Sequence, residues 1–426
     1  MSIVNSSSAQ ASNWKQLSYF RVFVENDAHL QNARYPLLNN KRQQLRVTVR
    51  LAALDASGNL VTIPQSDLDN IRLIDYNTSA LIDFNNSFTG DWTSSRHHQG
   101  YTWDRGFFDS IRTLRLEQPQ LFEELENRAD VVEALHVNVP EQIKHELESQ
   151  GSNVLSVLAG ENMADCPNGY QCVQFYVSTG ARAARRLAAR LTNSDGTVFR
   201  TNYSEVGDDL GEGDKRGKFN SSFEVDPVTF PNLPNDHFGD RRTDGSGYLR
   251  DTLVSSFTRR GLEYRAFEAH VNIRMPNGRK VPIKSVVHSM SADPILGAEV
   301  IWACRGGLNG ARCTYTYMCY PGETQLRMGT PPNFYGWRGS FYRSSGLLEL
   351  AFANFRPRIL HARAGEVVIG QMLTSQNSWF YNNGSGTIET PNYTSMPLSV
   401  IDIYGTQHNF RLSLNFNLTY LNLNKV

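Results

Sequence analysis

The strongest constraint on this chain is one unit repeated at widely separated places: a strand, a tight turn carrying Gly after Asn or Asp, and a second strand. Leu45 to Leu51 alternates apolar and polar side chains, turns through Asp55-Ala56-Ser57-Gly58-Asn59 and returns as Leu60 to Ile63. Arg186 to Thr192 turns at Asn193-Ser194-Asp195-Gly196 and returns as Thr197 to Phe199, while His270 to Arg274 turns at Pro276-Asn277-Gly278 and returns through Lys280 to Ile283. Glycine supplies the positive φ that short hairpin loops demand, and period-two alternation turns one face of each strand toward a core. From Asn409 to Tyr420 the same alternation predicts one long amphipathic strand.

Helical signals concentrate in Pro119 to Glu126 and Pro140 to Leu147, where Pro and acids stand at a first turn. The expected fold is therefore mainly β: two or three antiparallel β-sandwich-like modules with a short helical insertion near 119–150. A length of 426 residues suits that number of modules at about 150 residues each. The expected organisation is a flexible N-terminal segment over 1–12 and a β-rich domain with the helical insertion over 13–160. A β-rich domain with a long Gly/Asp/Pro loop follows over 161–295, then an aromatic-rich β domain over 296–426. Within the loop, which runs from Gly207 to Gly247, Phe219 to Phe230 reads as a strand.

Lys plus Arg and Asp plus Glu balance at 42 each, so no global field draws the protein onto nucleic acid or an anionic membrane. The opening Met1 to Ser12 lacks a basic and an apolar region, and no apolar run reaches the roughly 20 residues of a spanning helix. The expectation is synthesis in the cytosol, with leaderless export or assembly into a particle. Five cysteines, Cys166, Cys172, Cys304, Cys313 and Cys319, contain no C-x-x-C pair, which argues against zinc. The turn Pro167-Asn168-Gly169 would bring Cys166 and Cys172 together; local disulfides and buried thiols both remain open.

No nucleophile elbow, P-loop or dinucleotide fingerprint is present, so the chain reads as noncatalytic, without cofactor or metal. Asp208, Asp209, Glu212 and Asp214, and Asp236 with Asp240 around His237, are acidic enough for calcium, but they read as solvated loops because basic residues follow the first group. His97 and His98 read as surface histidines. Arg182, Arg185, Arg186 and Arg190 form a dense basic patch with no interleaved aromatic residue, which argues against nucleic acid and for a strand face with acidic partners.

Recognition is expected between Tyr315 and Arg343, where rings and arginines crowd together: Tyr315, Tyr317, Arg327, Tyr335, Trp337, Arg338 and Tyr342 are the candidate binding residues. Tyr, Trp and Arg dominate interface hot spots, and their rings also stack on flat apolar faces of sugars. The competing reading is that rings alternating along strands fill a core. The functional expectation is a structural or recognition protein that binds another protein or a glycan, with self-association through strand edges left open. A membrane-active toxin using amphipathic strands, and a glycoside hydrolase whose carboxylates converge only in three dimensions, are the rival readings.

Overall fold

The computed structural model describes residues 14–24, 34–85, 90–122, 166–202, 219–259, 262–287, 302–307, 310–319, 321, 361, 363–374, 395–415, 417 and 419–426. These are mainly β, arranged in several sheets. The chain divides into two compact units, one formed by Met1–Arg115 with Phe122–Pro231 and the other by Leu116–Leu121 with Asn232–Val426.

The first unit holds strands β1 (Gln16–Val24), β2 (Arg34–Leu38), β3 (Leu45–Leu54), β4 (Leu60–Val61), β5 (Arg72–Asp75) and β6 (Asp83–Phe84). It continues with β7 (Trp92–Ser95), β8 (Gln171–Thr179), β9 (Arg185–Thr192), β10 (Val198–Arg200) and β11 (Phe223–Val228), and with helices α1 (Gln65–Leu68) and α2 (Arg105–Glu117). One sheet runs β1-β3-β8-β7-β6 with β4 beside β3, and a second runs β10-β9-β11-β2 with β5 beside β9. Pairing is antiparallel except for β11 with β2 and β6 with β7, which are parallel.

The two sheets share one core. Phe20 and Val22 of β1, Val47 and Val49 of β3 and Phe175 and Val177 of β8 pack with Leu187, Ala189 and Leu191 of β9, Leu73 of β5 and Val225 of β11. This is the packing of a sandwich, and the alternation in β3 follows from it: Leu45, Val47, Val49 and Leu51 are buried while Arg46, Thr48 and Arg50 are half-buried on the other side. At one end of the core the Trp14 indole donates from Nε1 to Asp67 Oδ2 at 2.7 Å, both residues being buried. That bond satisfies one carboxylate oxygen of α1, whose partner oxygen Oδ1 has no hydrogen bond among the described residues.

The second unit contains β12 (Asp251–Arg259), β13 (Leu262–Val271), β14 (Ile273–Arg274), β15 (Lys280–Val281), β16 (Ile283–Val287) and β17 (Trp302–Gly307). Then come β18 (Gly310–Cys319), β19 (Val367–Thr374), β20 (Ser395–Asp402), β21 (Gln407–Leu414) and β22 (Leu421–Lys425). Sheets run β12-β13-β19-β18-β17 and β16-β20-β21-β22, with β14 and β15 as a separate pair. Phe238 packs edge-on to Phe410, with ring centroids 4.8 Å apart, among buried Leu412 and Leu423.

All three expected hairpins form: β3 turns into β4, β9 into β10 and β14 into β15. Their turn glycines Gly58, Gly196 and Gly278 have φ of 84°, 89° and 81°. The strand expected in the long loop is β11. One expectation changes. The C-terminal strand stops at Leu414, because Asn415 Oδ1 accepts the amides of Thr419 at 2.7 Å and Tyr420 at 3.1 Å and folds the chain back into β22. A side chain that mimics a backbone acceptor ends the ladder although the alternation continues.

The helix α2 precedes the helical insertion expected near 119–150. α2 begins at Arg105, after Asp104 Oδ1 accepts the amide of Gly106 at 2.8 Å, and it buries Phe107, Phe108, Ile111 and Leu114 at helical spacing. Residues 120–122 are helical, and the remainder of the insertion lies outside the described residues, as does the N-terminal segment 1–12. The β3–β8 pair joins residues on either side of position 160, and the β13–β19 pair joins residues on either side of 295.

Trp14→Phe keeps an aromatic ring in the core but leaves the Asp67 carboxylate buried without its donor. It is expected to destabilise the first unit by about 3 kcal/mol in urea unfolding followed by circular dichroism, with the slope of the transition unchanged.

Candidate recognition face

Because the apolar positions of β1, β3 and β8 point into the core, their other positions line up on the opposite face in rows across the sheet. Arg21 stands opposite Arg50, which stands opposite Cys172; the next row is Phe23, Thr48 and Gln174; in a third, Arg46 faces Tyr176. The guanidinium of Arg50 lies 4.7 Å from the centre of the Phe23 ring and 5.9 Å from that of Tyr170. Arg21 lies 5.5 Å from the Tyr19 ring, and Tyr19 meets Tyr170 edge-on with centroids 4.8 Å apart. At the far end His98 stacks on Tyr176 at 5.0 Å.

The Tyr170 position is held from below. A disulfide joins Cys166 to Cys172, closing the Pro167-Asn168-Gly169 turn that the sequence left open between disulfide and thiols. Within it the Tyr170 amide donates to the Pro167 carbonyl at 3.2 Å, and Tyr170 remains 38% exposed. An exposed ring is thus fixed just before β8, beside Arg50.

Two arginines directly opposite on neighbouring strands repel one another, at a cost of a few tenths of a kcal/mol or more. Neither Arg21 nor Arg50 has an ion pair with a carboxylate among the described residues, and Arg50 Nε is buried with no hydrogen-bond partner there. Ring faces supply what compensation there is, worth roughly 0.5–1 kcal/mol per exposed cation–π contact. The face is therefore cationic and aromatic, with uncharged hydrogen-bonding groups in Thr48 and Gln174.

The residues expected from the sequence fall elsewhere. Tyr315 and Tyr317 lie on β18, where they pair with Met372 and Gly370 of β19. Arg327, Tyr335, Trp337, Arg338 and Tyr342 lie outside the described residues. Cys304 stands opposite Cys313 in the register of β17 and β18. The Arg182 to Arg190 patch is largely β9, as expected, and has partners: Arg185 meets Asp75 at 3.3 Å, and Arg186 donates to Ser222 Oγ at 2.6 Å over the Tyr76 ring. Arg190 is opposite both Arg72 and Arg200.

Nearby, burial lowers the pKa of Arg96 to about 10, against the pull of Asp69. Its Nη2 donates to the Leu68 carbonyl, which holds it in place.

Among the described residues no group of three or more His, Cys, Asp or Glu is placed to hold a metal. Asp240 is instead enclosed by donors: the cations Arg274 and Arg363 and the neutral Asn272 amide all donate to it. His237 Nδ1 lies 2.8 Å from the Arg274 carbonyl. The acidic loop from Asp208 to Asp214 lies outside the described residues.

The second unit also buries carboxylates beside imidazoles. Glu366 binds Lys280 at 2.9 Å and lies 3.2 Å from His270 Nδ1, while Asp402 Oδ2 lies 3.0 Å from His408 Nε2 and its Oδ1 accepts the Tyr404 and Thr406 amides. The second arrangement caps a turn. In the first, burial and Arg363 depress the His270 pKa and outweigh the attraction of Glu366, Asp240 and Glu268, so the ring is kept neutral.

No known protein-family model matches this chain, and no curated protein matches it in sequence. The arginine–aromatic face was recoverable from sequence in part: Tyr19, Arg21 and Phe23, and Arg46, Thr48 and Arg50, are polar or aromatic alternates with no acid among them. Their meeting with Tyr170 comes from strand pairing across more than a hundred residues, which local pattern does not carry.

Depression of the His270 pKa has a defined sign. The unfolded chain takes up this proton near pH 6.5 and the folded one only below it, so stability is present above pH 6.5 and falls as the pH drops through that value. The thermal midpoint of the second unit is expected to fall between pH 7 and pH 5.5, and His270→Gln is expected to flatten that fall in calorimetry.

Proposed function

We propose that this is a noncatalytic recognition protein that binds a glycan through the outward face of β1, β3 and β8. The observation that carries the reading is the pair Tyr19 and Tyr170, edge-on at 4.8 Å, flanked by the guanidinium groups of Arg21 and Arg50. A tyrosine presents an apolar ring to the C–H face of a pyranose and a hydroxyl to its polar rim, at little entropic cost because it has two rotatable bonds. Thr48 and Gln174, paired in register with Phe23 in the row beyond the arginines, add hydrogen-bonding groups for sugar hydroxyls. A rigid sheet holds all of them, and the disulfide fixes the one ring that sits on a turn. Preorganisation of this kind reduces the ordering cost of binding.

Glycan-array binding by purified protein is the test. Wild type is expected to retain a discrete set of glycans, and Tyr170→Ala to weaken them about tenfold, near 1.4 kcal/mol, with an unchanged thermal midpoint. Absence of any glycan binding, or binding that survives both Tyr19→Ala and Tyr170→Ala, would sink the reading.

A further inference from the structure

Resting on that reading, we infer that the glycan is an acidic polysaccharide whose ring carboxylates are received by the Arg21–Arg50 row. These two arginines stand opposite one another in register, with no carboxylate ion pair to either among the described residues, and Arg50 Nε has no hydrogen-bond partner there. Like charges so aligned disfavour the empty face and are relieved by an anion seated between them. A planar carboxylate matches the guanidinium fork, accepting two parallel N–H donors from one arginine while the second neutralises the remaining charge.

The chemistry of the occupant follows from what surrounds the row. In a uronic acid the carboxylate is bonded directly to the pyranose ring and projects from its edge. A sugar stacked on Tyr19 or Tyr170 therefore sends its carboxylate sideways, toward Arg21 and Arg50, whose guanidinium groups lie 5.5 Å and 5.9 Å from those same rings. Thr48 and Gln174, with Phe23, form the row on the other side of the arginines, where the next sugar along a polymer would meet hydrogen-bonding groups.

Single-stranded nucleic acid also offers rings and anions, but it is held by a long electropositive groove with successive stacking rings. Here the chain is neutral overall, with 42 basic and 42 acidic residues, and this face carries three arginines, Arg21, Arg46 and Arg50, over three rows. A sparsely charged, hydroxyl-rich polymer fits that distribution.

The experiment is isothermal titration of the intact, disulfide-bonded protein with polygalacturonate, its methyl-esterified neutral counterpart, a sulfated galactan and oligothymidylate. Arg50→Met and Arg21→Met are titrated alongside, each checked for an unchanged or raised thermal midpoint; two variants guard against one that fails to fold. Polygalacturonate is expected to bind at least tenfold more tightly than its ester. Either substitution should abolish that difference while leaving the weak binding of the ester in place. Equal binding of acid and ester would overturn the inference yet leave glycan recognition standing. Preference for the sulfated galactan or oligothymidylate over polygalacturonate would also overturn it. If no carbohydrate binds, here or on the glycan array, both readings fall.

Discussion

The sandwich of the first unit depends on burying the inner alternates of β1, β3 and β8 against β9, β5 and β11. Each strand has only two faces, so committing Phe20, Val22, Val47, Val49, Phe175 and Val177 to the core leaves every intervening side chain on the other side. A shift of one residue in register would exchange the two sets and bury Arg21, Arg46 and Arg50. At about 25 cal/mol per Å² of apolar area, the core enforces the register far more strongly than the outward residues can oppose it. The outward face therefore keeps an arrangement it would not adopt alone, with two arginines in opposition.

That separation of tasks explains where the polar chemistry sits. In the first unit several arginines rest on rings or on carbonyls, as Arg50 does on Phe23 and Arg96 on Phe175 and the Leu68 carbonyl, while Arg34 and Arg185 pair with Glu224 and Asp75. The second unit instead buries Glu366, Glu268 and Asp402 and satisfies them with Lys280, His361 and His408. Buried acids surrounded by donors of this kind organise a turn or a strand end. The contrast leaves an open arginine–aromatic face on the first unit, where the proposed recognition would take place, and internal polar structure in the second.

Much of the fold was legible because hairpin chemistry is local. Asp55, Asn193 and Asn277 accept nearby backbone amides, and the glycine that follows takes the left-handed conformation, so the three turns could be read from a few consecutive residues. The α2 helix had an equally local signature in Asp104 and the spacing of Phe107, Ile111 and Leu114, though the acids and prolines further on drew attention away from it. The end of β21 was not legible by periodicity, since the alternating pattern runs through Asn415, whose side-chain oxygen and backbone amide together bond Thr419 and Tyr420 and reverse the chain.

What the sequence determined by itself was the strand-and-turn vocabulary, the mainly β class and the inward or outward sense of each alternating position. These depend on neighbours within a few residues. Which strands pair, and therefore which outward side chains become neighbours, was decided by tertiary structure. The β3–β8 pair sets Arg50 against Cys172, the disulfide of Cys172 to Cys166 carries Tyr170 with it, and β1 then brings Tyr19 and Arg21 alongside. Such a face is assembled from segments far apart in the chain by a core that selects register through burial, a property of the whole unit.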